Sequence, residues 1–257
     1  MPRACENPST VQVLGPVTPM SRIAAVQDLA GHRVGLISRW GRTEGTAMGD
    51  SELWGMVHAE RAALAEDLAG LNHAQWDTGS LCTEFTVREV VAHLTSGASL
   101  GPVRWMAGVI RCRFDFDAMV AYQLAQQLGT DHGETLERFR RSVTSTTKAP
   151  IPVVAMLGEV IVHGEDIRRP LRIQRDYPIA ALTHVAEYFH RSNMTVPSER
   201  RTRGLRLSAT DGPFSGGAQD GALVSGSTLA LIMAMAGRSA YGAELAGEGA
   251  GVIAGAG

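Results

Sequence analysis

The chain has 257 residues, 44% hydrophobic and 19% charged, with a formal net charge of −2. That length buries a core in one large domain or two small ones, and the near-neutral balance argues against nucleic acid or an anionic membrane as partner. Three widely spaced cysteines with no CxxC point to a reduced, cytoplasmic chain. No apolar run is long enough to cross a bilayer, and no secretory leader is expected at the start.

Residues 1–47 are rich in Gly, Pro, Ser and Thr and show no sustained helical period, so they are read as a poorly ordered extension. A better start follows at Met48, in "MGDSELWGMVHAERAALAEDLAGL". There Leu53, Val57, Leu64, Leu68 and Leu71 fall on one helical stripe. The second helix opens on "TVRE", a capping box of Thr86 and Glu89. Val87, Val90, Val91 and Leu94 give it an apolar face as far as Gly97 or beyond. Residues 117–143 form a helical region broken at "GTDHG" (129–133). A fourth helix is predicted from Ile151 to Arg169, bounded by Pro150, Pro152 and Pro170. A fifth spans 179–192.

The period then changes. "LRLSA" (205–209) and "ALVSG" (222–226) read as short strands, "TDGPFSGG" as turn chemistry, and "STLALIMAMAGR" (227–238) as an apolar helix capped by Ser227. The Gly-rich tail is expected to fray. The organisation is therefore a helical bundle over 48–196 and a small α/β module over 197–257.

The chemistry concentrates in "GEVIVHGED" (158–166). On a helix Glu159 and His163 lie about 40° apart and point to the same place. The segment around them is apolar, and a carboxylate buried there is costly unless it is paired or ligates a metal. His93, in "VVAHL" on the second helix, supplies a third donor. Two nitrogens and one carboxylate with an open fourth position suit a catalytic zinc, with iron, nickel or cobalt as other fits. A metal-free hydrogen-bonded pair has the same spacing, and ExxxH alone is a weak motif. His184 and His190 sit six residues apart on opposite faces, and His58 and His73 have no partner at ligand spacing. Cys82 and Cys112 are read as packing residues. Asp166 either orients a ligand or pairs with Arg168 or Arg169, the pairing being preferred.

Three blocks carry a resemblance: "LCTEFTVREVVAHLTSG" (81–97), "LGEVIVHGEDIRRPL" (157–171) and "GLRLSATDG" with "VSGSTLALIMAMAGR" (204–238). They resemble the mycothiol-dependent maleylpyruvate isomerase family over roughly 50–250. The resemblance implies a DinB-like four-helix bundle followed by a small α/β, sterol-carrier-like module. It implies a divalent metal, usually zinc, on His93, Glu159 and His163, and mycothiol as thiol cofactor. Phe85 and Phe214 stand where that family usually has Trp. The metal's open position would take the thiol in its ionised form. The thiolate would attack a small electrophile, leaving again in an isomerase or staying attached in an S-transferase. Arg238 matches a family position and would either receive a substrate carboxylate or counter its helix dipole. A monomer or homodimer with small-molecule partners is expected.

Two other functions compete. One is a non-catalytic DinB-like metal-binding or small-molecule-binding protein. The other is metal-dependent hydrolysis, for which Glu165 is the nearest general base, although its helical angle points away from His163.

Overall fold

A computed structural model describes residues 49–82 and 85–255, so the expectation for residues 1–47 falls outside the described residues. The order is α1 (Asp50–Ala69), α2 (His73–Trp76), α3 (Val87–Gly97), α4 (Pro102–Arg111), α5 (Phe116–Gln127), α6 (His132–Ser142), α7 (Val153–Leu171), α8 (Ile179–His190) and α9 (Ser198–Arg201). There follow β1 (Leu205–Ala209), β2 (Ser215–Gly217), β3 (Ala222–Gly226), α10 (Thr228–Met235), a 3-10 turn over Ser239–Glu244 and α11 (Ala250–Ala254). The protein is mostly helical, with a small three-stranded sheet near its C-terminus.

Local chemistry sets the helix starts. Thr86 accepts from the Glu89 amide at 3.3 Å while Glu89 accepts from the Thr86 amide at 2.8 Å, completing the predicted capping box. Asp131 caps α6 and Ser227 caps α10 by accepting from the Glu134 and Ala230 amides, without a reciprocal bond. The expected break at 129–133 is met in part: the chain leaves the helix over 128–131, while His132 and Gly133 already belong to α6. β1 pairs antiparallel with β2 and parallel with β3, giving the order β2-β1-β3.

Three expectations need correction. "SGG" (215–217) is a strand and not only turn, because it hydrogen-bonds to β1 across from Arg206–Ser208. The tail does not simply fray: it forms α11, whose Ile253 is buried in the core. An unanticipated helix, α4, fills the stretch after Gly97.

Helix α7 lies at the centre. One apolar cluster joins Leu157 and Ile161 of α7 to Val185 and Phe189 of α8 and to Leu207, Val224, Ile232 and Met233 of the C-terminal segment. A second joins Ile167 of α7 to Leu64, Leu68, Val87, Val90 and Phe139 from α1, α3 and α6. Gly158 lets α8 approach closely, since a Cβ there would stand 2.9 Å from Cε1 of Phe189. Gly158→Ala should therefore cost about 1–3 kcal/mol by overpacking, despite the better helix propensity of alanine, read as a lower urea midpoint at unchanged slope.

Candidate metal centre

α3 packs against α7 and sets His93 opposite Glu159 and His163. The Nε2 of His93 lies 3.4 Å from Oε2 of Glu159, and Nε2 of His163 lies 3.8 Å from the same oxygen. One donor atom from each residue falls within 4.8 Å of the others. The two imidazoles meet edge-on, centroids 4.9 Å apart, and Phe85 stacks on the outer side of His93. The three side chains are 23%, 30% and 14% exposed, so the group borders solvent instead of being sealed in the core.

Burial alone would raise the Glu159 carboxyl. The His93 hydrogen bond and the nearby charges of His163, His93 and Arg238 outweigh it and hold the group down at about 2. Glu159 is thus a carboxylate across the ordinary pH range.

Asp166 fixes His163. Its side chain is fully buried and lies 2.9 Å from Nδ1 of His163. It also accepts from Nε and Nη2 of Arg238 at 2.9 and 2.7 Å. Burial pushes this carboxyl up, but Arg238 and His163 pull it below its ordinary value, so it stays ionised. An ionised acceptor at Nδ1 requires that nitrogen to carry the proton. That leaves Nε2, which faces Glu159 and His93, as the nitrogen available to a metal. Asp166 therefore holds His163 and Arg238, not Arg168 or Arg169 as preferred from the sequence. Those two pair instead with Asp67 and Glu244.

Backbone chemistry tightens the same corner. Pro170 has no N–H to give the Asp166 carbonyl one turn back, and the Leu81 amide donates to it at 3.0 Å. The proline inside α7 thus opens an acceptor that ties the loop before α3 to α7. Arg238, just past α10, brings the C-terminal segment to the same point through its ion pair with Asp166. Both contacts span long stretches of sequence and carry no local signal.

Other site expectations divide. Glu165 is buried and turned away, accepting from Tyr177 and Tyr241 at 2.8 and 2.5 Å, which removes it as a base for the triad. Cys82 and Cys112 are buried and not disulfide-bonded. His73 finds His132 at 3.1 Å, with His132 on Asp77, a pairing its spacing did not reveal. A cleft of about 540 Å³ borders Leu53, His184, Tyr188 and Arg191, and a polar one of about 230 Å³ borders Thr95, Arg138 and Ser145. Neither is lined by a triad residue.

A family model, Mycothiol maleylpyruvate isomerase N-terminal domain, matches residues 57–153. The match includes His93 and stops short of Glu159 and His163. Two crystal structures of the mycothiol-dependent maleylpyruvate isomerase, one a histidine-to-alanine mutant, superpose with TM-scores of 0.52 and 0.53. Each covers 78% of this chain and 93% of its own at 16% identity, which establishes a shared fold. No curated protein sequence matches the chain. Among the described residues no helix is long and apolar enough to cross a membrane.

Proposed function

We propose that the protein is a metal- and mycothiol-dependent isomerase or S-transferase acting on a small electrophile, with His93, Glu159 and His163 as metal ligands. The observation that carries this reading is the convergence of the three donors around one point, with Asp166 setting the tautomer of His163. The donor atoms of the three residues, 3.4 and 3.8 Å apart across Glu159 and all within 4.8 Å of one another, would suit a single divalent ion. Two imidazoles and a carboxylate leave a fourth position free, the pattern of catalytic and not structural zinc. When bound, such an ion supplies a Lewis-acid position at which a thiol is ionised at neutral pH.

The chain's own part is to hold that position open and oriented. Asp166 keeps the proton on the far nitrogen of His163. Arg238 neutralises Asp166 and, with Phe85 against His93, walls the site. The DinB-like bundle and sterol-carrier-like module belong to the same reading, as does a cytoplasmic location, where a reduced thiol cofactor is available. Among the described residues Glu165, the nearest candidate base for water, is committed to two tyrosines. Thiol addition is therefore favoured over hydrolysis.

The test is spectroscopic. Cobalt-loaded protein titrated with mycothiol should develop a sulfur-to-cobalt charge-transfer band, and the band should be absent in His93→Ala. A cobalt protein whose spectrum ignores thiol would sink the thiol-dependent reading.

A further inference from the structure

Helix α4 is apolar on both sides. Its inner face puts Val109 and Cys112, with Trp105, against Met119 of α5. A surface helix normally turns polar residues to the opposite side. Here that side carries Val103, Met106 and Ile110, which are 82%, 48% and 63% exposed. Their spacing of three and four residues makes one stripe along the helix. Phe114 continues it at 70% exposure.

The turn that presents Phe114 is strained. Arg113 and Phe114 both take left-handed backbone angles, φ 54° and 67°, unusual for bulky side chains. Hydrogen bonds from their amides to Ile110 and Val109 hold the turn shut. Strain of this kind persists where the fold gains something from the position of the side chain.

The charge beside the stripe identifies what covers it. Residues 102–114 contain Arg104, Arg111 and Arg113 and no acid, a local charge of +3 on a chain whose net charge is −2. All three arginines are exposed, and Arg111 is braced over the Tyr122 ring at 4.8 Å. An apolar stripe flanked by guanidiniums is the composition of a helix that lies in the headgroup layer of an anionic bilayer. A second copy suits it less well. A twofold contact along the stripe would set the arginines of both copies beside one seam, like charge against like.

We propose that α4 and Phe114 dock the protein reversibly on anionic phospholipid surfaces, the stripe entering the headgroup boundary and the arginines pairing with phosphates. The whole-chain charge of −2 conceals the three arginines of this stretch, which Asp115 and Asp117 follow directly in sequence.

Flotation of the full chain with phosphatidylcholine vesicles, and with an equal mixture of phosphatidylcholine and phosphatidylglycerol, tests the proposal. Binding should require the anionic lipid and weaken as salt rises. Val103→Asp/Ile110→Asp and Arg104→Glu/Arg113→Glu should each weaken it at least about tenfold. These side chains are exposed, so the circular dichroism melt should not move. If the aspartates disturb it, Val103→Ser/Ile110→Ser serves instead. The proposal is overturned if wild type ignores anionic vesicles or if the apolar variant binds as well as wild type. It is equally overturned if light scattering finds a dimer that the apolar variant splits while vesicles stay unbound.

Discussion

Asp166→Ala should be among the most damaging single substitutions in the chain, costing about 3–5 kcal/mol of stability and about 10- to 100-fold in metal affinity. The first figure follows from breaking a buried ion pair. Removing the carboxylate leaves the largely buried Arg238 without the acceptor for its Nε and Nη2. The second follows from releasing His163. Without an acceptor at Nδ1 the imidazole loses both its tautomer and its orientation. Asp166→Asn separates the two. It keeps a carbonyl oxygen for His163 but cannot neutralise Arg238, so stability should fall while much of the metal affinity returns. Denaturant unfolding and competitive metal titration read the two effects. Unchanged metal affinity in Asp166→Ala would remove Asp166 from the site.

Glu165→Ala, one residue away, should give the opposite profile. Its carboxylate accepts from both Tyr177 and Tyr241 inside the protein. Burial, with the adjacent carboxylate, pushes both phenols well above their ordinary range, though Arg168 offsets part of this at Tyr177. Both hydroxyls therefore remain donors at any working pH. Taking away their acceptor should cost about 3 kcal/mol. Metal content and thiol binding should stay at wild-type levels, because Glu165 faces away from the triad. A Glu165→Ala protein that folds normally but no longer acts on any substrate would instead revive the hydrolytic reading.

The contrast between these neighbours marks what sequence can carry. The spacing of Glu159 and His163 was legible because a helix converts four residues into one direction. The capping box at Thr86 and the Ser227 cap of α10 were legible because they are local. Asp166 could be suspected from its distance to His163, but its other partner stands 72 residues away, on the far side of the sheet-forming segment. Only the folded chain brings them together. β2 was missed because "SGG" has no side-chain alternation to read, and only its pairing with β1 makes it a strand. α4 was missed for a physical reason that matters elsewhere. A helix apolar on two opposite faces has no polar side to reveal its period, and the same property motivates the proposed lipid contact.

The central claim is that His93, Glu159 and His163 hold one metal ion. Elemental analysis of the purified full-length chain, beside a His93→Ala/His163→Ala double variant, tests it most directly. The account predicts about one zinc or similar divalent ion per wild-type chain and a near-complete loss in the variant, with the fold retained in both. A well-folded wild type that takes up no ion even after reconstitution would contradict it, as would a double variant that keeps its ion. "GEVIVHGED" would then carry a hydrogen-bonded pair and no metal.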